Sequence, residues 1–244
     1  MSAPIPRLRM FAGPNGSGKS TIKDMLPQQW LGIYVNADEI EKSIRVDGYL
    51  SLAEFAVEAT AQELQAFLQA STLLEKAGLI AQASQLALVD GRVVFGPVEV
   101  NSYWASVLAD FIRHKLLAMK VSFTFETVMS SPDKVAFLQK AQEVGYRTYL
   151  YFVATEDADI NVSRVKYRVQ VGGHPVAEDK IRSRYVRSLE LLPQAVTYAD
   201  RAYIFDNSGA ERVWVAEVTD GLEIEMKTDE MPAWFKAALW DKFE

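Results

Sequence analysis

Gly13-Pro14-Asn15-Gly16-Ser17-Gly18-Lys19-Ser20-Thr21 fits the spacing G-x-x-x-x-G-K-[ST], the signature of a loop that cradles phosphate groups. Its setting decides the fold. Leu8–Ala12 reads as a short strand ahead of it, and Ser20–Leu26 as a helix behind it, stopped at Pro27. A strand, a glycine-rich turn and a helix start together aim backbone N–H groups and the positive helix end at an anion. Gly13, Gly16 and Gly18 keep side chains out of the space the phosphates need. Lys19 is placed to reach the β- and γ-phosphates, and the Ser20 hydroxyl to take a Mg²⁺ ligand position. ATP and Mg²⁺ are therefore the expected ligands, with residues 13–21 as the ATP-binding set.

The same alternation of strand and helix continues along the chain. Ile33–Val35 predicts a second strand whose carboxyl end delivers Asn36 and Asp38. Ligands gather at the carboxyl ends of strands in open α/β sheets, and an acid there can accept a proton from an attacking hydroxyl. Asp38 could equally cap the helix that begins near Glu39. Residues 51–87 have apolar positions at helical spacing and predict two helices divided near Ala70–Thr72. Val89-Asp90-Gly91 with Arg92–Phe95 predicts a small hairpin. Tyr103–Met119 reads as a helix capped by Asn101 or Ser102, and Val121–Thr127 as a strand ending in Glu126 and Thr127. Ser131-Pro132-Asp133 opens a helix that stops at Gly145, and Arg147–Val153 is apolar enough for a buried parallel strand. This pattern predicts an α/β fold with a mostly parallel central sheet and helices on both faces.

Beyond it, cations gather although the chain carries a net charge of −6. A helix begun by Thr155-Glu156-Asp157 carries Arg164, Lys166 and Arg168. It ends at Gly172-Gly173-His174-Pro175. A second helix from Ala177 carries Lys180, Arg182, Arg184 and Arg187. On an arbitrary helix pair this would be a solvated basic face. Beside a phosphate loop, Arg164, Arg168 and Arg182 become candidates for the positive charge that phosphoryl transfer needs. His174 reads as a turn or lid residue. Arg201–Phe205 is a last core strand followed by the turn Asp206-Asn207-Ser208-Gly209. A hairpin over 212–226 and a helix over Pro232–Phe243 close the chain.

Composition excludes several classes of chemistry. The 244 residues contain no cysteine, hence no disulfide, thiolate metal site or cysteine nucleophile. With only His114 and His174, a histidine-built metal site is not expected, and any metal should be a hard ion on oxygen ligands. The acidic balance argues against nucleic acid as the main partner. No apolar run is long enough to span a membrane, and the phosphate loop lies too near the start to leave room for a secretory leader. A cytoplasmic location is expected. No apolar strand ending in Asp-Glu is evident, which disfavours a dedicated ATPase.

Gly13–Thr21, Val35-Asn36-Ala37-Asp38-Glu39, Phe123–Thr127, Arg164-x3-Arg168 with Gly172-Gly173-His174, Ile181-Arg182-x-Arg184-Tyr185 and Asp206-Asn207-Ser208-Gly209 together resemble zeta-toxin-like P-loop kinases, in the bacterial branch often labelled predicted ABC-type ATPase. The resemblance implies a single P-loop NTPase domain of kinase type over 1–244. An insertion over about 72–117 and a C-terminal extension over about 211–244 depart from it. It implies an ATP-dependent phosphotransferase acting on a small-molecule hydroxyl, with a UDP-activated amino sugar as the known substrate of such proteins. Asp38 matches the family's base. Arg164, Arg168 and Arg182 match its phosphate-covering arginines, and Glu126 and Thr127 its substrate- or metal-holding pair; Asn36, at the end of the second strand, is a further substrate-binding candidate. An antitoxin protein is the implied partner. A different class, an ATP-binding switch that hydrolyses slowly to control a protein partner, remains the alternative.

Overall fold

The structure, a computed structural model, describes residues 4–173 and 175–243; His174 lies outside the described residues. The chain divides into two compact units, Met1–Gly32 with Glu126–Glu244, and Ile33–Phe125. The strands are β1 (Arg7–Ala12), β2 (Ile33–Val35), β3 (Tyr49–Ser51), β4 (Ala87–Val89), β5 (Arg92–Val94), β6 (Phe123–Thr127), β7 (Arg147–Ala154), β8 (Arg201–Asp206), β9 (Val213–Thr219) and β10 (Glu223–Met226).

In the first unit the strands run in the order β10-β9-β8-β7-β1. β7 pairs in parallel with both β1 and β8, so it needs apolar residues on both faces. It has them: Leu150, Phe152, Val153 and Ala154 are fully buried. Parallel pairing brings the ends of β1, β7 and β8 to one edge, through Ala12↔Phe152 and Ala154↔Asp206. The phosphate loop, Thr155 and Asn207 therefore leave the sheet side by side. β8, β9 and β10 form an antiparallel meander. Asp220 and Gly221 adopt positive φ at its β9–β10 turn, as the Asp-Gly pair predicts. The Pro132–Glu143 helix begins with Pro at its first position and ends before Gly145 at φ 90°. The C-terminal helix is shorter than expected, Ala233–Ala238 followed by a 3₁₀ turn at Trp240–Lys242.

In the second unit β2 and β6 pair in parallel. The helix Ala37–Asp47 packs on the helix Ser102–Ala118, whose cap is Asn101. The Asp90-Gly91 hairpin forms as predicted, with positive φ at both residues. Residues 51–87 depart from two helices. A 3₁₀ turn spans Leu52–Phe55, and helices follow at Ala61–Gln69, Thr72–Lys76 and Ile80–Ala83. The local cause is capping. Thr60 and Glu63 form a reciprocal capping box, Ser71 accepts from Leu74 N–H, and Gly78 turns the chain at φ 70°. β3, which pairs with β5, has no sequence signal strong enough to predict it. Among the described residues no helix is long and apolar enough to cross a membrane.

Candidate active site

The phosphate loop leaves β1 at Gly13. There φ is +139°, and a Cβ would lie 2.0 Å from the Val153 carbonyl oxygen. Gly18, at φ +96°, faces the same problem, since its Cβ would meet Asn207 Nδ2 at 2.3 Å. Both positions demand glycine on backbone and spatial grounds. The helix that follows is only five residues, Lys19–Lys23, with no side-chain cap. A helix that short has little macrodipole, so the anion cradle rests on the loop's own N–H groups and on Lys19. Lys19 is buried, and its ammonium donates to Pro14 O at 2.9 Å. The ammonium is thus folded back over the loop it serves.

Three segments from the rest of the first unit hold the loop. Asn207, just past β8, donates from Nδ2 to Ser17 O at 2.7 Å. Asn161, fully buried in the helix Ala158–Gln170, donates from Nδ2 to Asn15 O at 2.6 Å. Arg184, in the helix Glu178–Glu190, donates from Nη1 to Asn15 Oδ1 at 3.4 Å. Tyr185 Oη ties the second of these helices to Thr155 O at 2.7 Å, and Ser188 Oγ ties it to Val128 O at 2.8 Å. Burial raises the Tyr185 phenol well above its ordinary pKa, so it stays a donor there.

At the start of the helix, the exposed Ser20 hydroxyl lies 3.1 Å and 3.3 Å from the two Glu126 carboxylate oxygens. Among the described residues no group of three or more His, Asp or Glu side chains could enclose a metal. Two protein oxygens would leave most of an octahedral shell to phosphate oxygens and water, which suits Mg²⁺. Neighbouring Thr127 is used locally, its Oγ1 accepting from Met129 N–H at 3.1 Å. Two further residues carry buried polar atoms without a partner. Ser17 Oγ, and Nε and Nη1 of Arg212, are buried with no hydrogen-bond partner among the described residues. Burial lowers the Arg212 pKa, and Asp24, just after the loop's helix, opposes that shift.

The predicted arginines separate. Arg164 braces the turn beyond β8, donating from Nη1 to Asn207 O at 2.7 Å and from Nη2 to Gly209 O at 3.4 Å. Arg168 lies along Gly173, whose added Cβ would meet Arg168 Cγ at 2.5 Å. Arg182 is exposed and pairs with Glu178 at 2.8 Å and with Asp159. Those two carboxylates raise its pKa. Lys166 and Arg182 in turn hold Glu178 below the usual carboxylate range. Arg184 is a helix cation that meets the loop, and the asparagines that clamp the loop, Asn161 and Asn207, carry no charge pattern to announce them.

Asn36 and Asp38 belong to the second unit. Asn36 is the N-cap of the helix Ala37–Asp47, its side chain accepting from Asp38 N at 2.8 Å and Glu39 N at 3.4 Å. The cap is therefore Asn36, which leaves the exposed Asp38 carboxylate in the helix's first turn without a capping duty.

A family model described as Zeta toxin matches residues 98–219, half of the chain. An uncharacterised protein of Haemophilus influenzae is 31% identical over 176 residues, covering 72% of this chain and 89% of that protein. Among solved structures, a chain of the AvrRxo1-ORF1:AvrRxo1-ORF2 complex with sulphate ions superposes with a TM-score of 0.53 at 17% identity. It covers 98% of this chain, which spans 63% of that one. A chain of the PezAT chromosomal toxin–antitoxin system of Streptococcus pneumoniae gives a TM-score of 0.53 at 13% identity, covering 100% of this chain and 82% of its own. At such identities the structural likeness speaks for the fold, while the family model and the Haemophilus relative speak for descent. The chain belongs to the zeta toxin family of P-loop kinases.

Proposed function

We propose that this ATP-dependent phosphotransferase acts on a hydroxyl of a small molecule, a UDP-activated amino sugar being the first class to test. The observation that carries the reading is the phosphate loop with Lys19 over it and Ser20 against Glu126. Residues 13–21 bind the phosphates through backbone N–H groups, and Lys19 holds the β- and γ-groups. Ser20 and Glu126 would hold Mg²⁺, which would offset negative charge on the phosphate oxygens. Arg184 and Arg168 supply positive charge for the transferring group, and Arg164 steadies the turn beyond β8. Asp38 accepts the acceptor's proton. Thr127 and Asn36 lie next to these groups in sequence and are proposed to line the acceptor. Their present bonds to backbone N–H groups mean that they would do so with their remaining polar capacity.

The direct test is transfer of labelled γ-phosphate from ATP with Mg²⁺ to a panel of UDP-sugars, nucleosides and aminoglycoside-like alcohols. A phosphorylated acceptor is expected. ADP formed at an equal rate with and without every acceptor would overturn the reading in favour of a hydrolytic switch. The partner proteins named for both solved neighbours support a proteinaceous antitoxin as the proposed partner of this chain as well.

The arginines make a separate prediction. Arg184→Ala should weaken ATP binding about tenfold, the loss of one charge-assisted contact. Arg182→Ala should change it less than about twofold, because exposed ion pairs contribute little. Calorimetric titration of both variants with ATP and Mg²⁺ reads the difference.

A further inference from the structure

We infer that the C-terminal helix is a working part of the nucleotide site: Trp234 positions the phosphate loop through the turn Asp206-Asn207-Ser208. This rests on the nucleotide-binding reading and goes beyond it, since it brings in a residue far outside the motif.

The connection is a continuous set of short hydrogen bonds. Trp234 Nε1 donates to Asp206 Oδ2 at 2.6 Å, both residues being buried. Asp206 Oδ2 also accepts from Ser208 Oγ at 2.7 Å, and its Oδ1 from Ser208 N at 2.9 Å. Ser208 Oγ in turn accepts from Glu156 N at 2.7 Å, just past the end of β7. Between these anchors sits Asn207. Its N–H donates to Ala154 O at 2.8 Å, and its Nδ2 holds Ser17 O at 2.7 Å inside the phosphate loop.

A buried carboxylate must have its oxygens satisfied. Here three donors do so, and one comes from the C-terminal helix. The indole is itself fixed by packing, with ring centroids 6.2 Å from Phe152 and 6.0 Å from Phe235. Its N–H therefore has a set direction. Without it, Asp206 loses a donor on the oxygen it shares with Ser208 Oγ, and the turn that aims Asn207 loosens. Gly18 has no room for error, because Asn207 Nδ2 occupies the space a Cβ would take. A shift of Asn207 moves the Ser17–Gly18 backbone directly.

A buried indole N–H finds an acceptor in most proteins, so a purely structural role predicts a lower melting temperature and nothing more. Positioning predicts a change in ligand affinity of the folded protein. The test is calorimetric titration of the full chain with ATP and Mg²⁺, well below the melting transition. Wild type, Trp234→Phe, Asn207→Ala and the double variant are compared. Trp234→Phe keeps a ring and removes the donor. It should raise the ATP Kd about three- to tenfold, the range set by one lost hydrogen bond. Asn207→Ala should raise it at least as much, and the double variant should match Asn207→Ala within about twofold, because the two act in series. A Trp234→Phe Kd within about twofold of wild type beside a weakened Asn207→Ala, or effects that multiply in the double variant, would overturn the inference. Should Trp234→Phe not fold, Asp206→Asn breaks the same link and is read by the same criteria. Failure of the nucleotide reading looks different: wild type itself would then show no binding heat, and the inference would fall with it.

Discussion

Lys19→Ala is expected to cost at least about a hundred- to a thousandfold in phosphoryl transfer, the size found when one donor to a developing charge is removed. Lys19 is only 7% exposed, and its ammonium already lies over the loop at Pro14 O. It is therefore held near where the phosphates would bind, so little reorganisation is needed at the moment of reaction. ATP affinity should fall as well, because a charge-assisted contact is lost in the ground state. The folded protein should survive, since the substitution removes a buried charge and leaves behind a carbonyl oxygen. Rate, ATP titration and thermal melting on one preparation check all three. A variant that retained wild-type turnover would remove Lys19 from the mechanism.

Asp38→Asn is the second large effect. An amide cannot take a proton, so turnover should fall by about a hundred- to ten-thousandfold, the usual contribution of a general base, with ATP binding unchanged within about twofold. Because Asn36 caps the helix, the substitution leaves the cap in place and stability should hardly move. That separation makes the variant informative. A stability loss would assign Asp38 a structural role, whereas loss of rate alone supports the base. Equal turnover in variant and wild type would remove Asp38 from the chemistry.

The parts of the fold that were legible in the sequence were those fixed by short-range chemistry. Ile33–Val35, the Asp90-Gly91 hairpin and the Pro132 helix start depend on residues within a few positions of one another, and each forms where expected. β3 was not legible, because three residues become a strand only when β5 is beside them. The same distinction runs through the site. The glycines, Lys19 and Ser20 follow from a contiguous motif, and Glu126 from the acid at the end of a readable strand. Arg184 was one cation among seven in the helix pair, and only the tertiary structure singles it out at Asn15. Arg182, two residues earlier, points to its own helix neighbour Glu178. Asn161 and Asn207 act through side-chain amides donating to loop carbonyls, an interaction that has no sequence period and no charge signature.

The clamp on Ser17 joins residues 190 positions apart, and the one on Asn15 joins residues 146 apart. During synthesis at roughly 5–20 residues per second, the phosphate loop is made roughly ten to forty seconds before the asparagine that closes it. Over that interval a nascent chain carries the whole nucleotide motif but not the frame that shapes it. A kinase built this way should be silent while incomplete, and prematurely terminated fragments carrying the motif should be silent too.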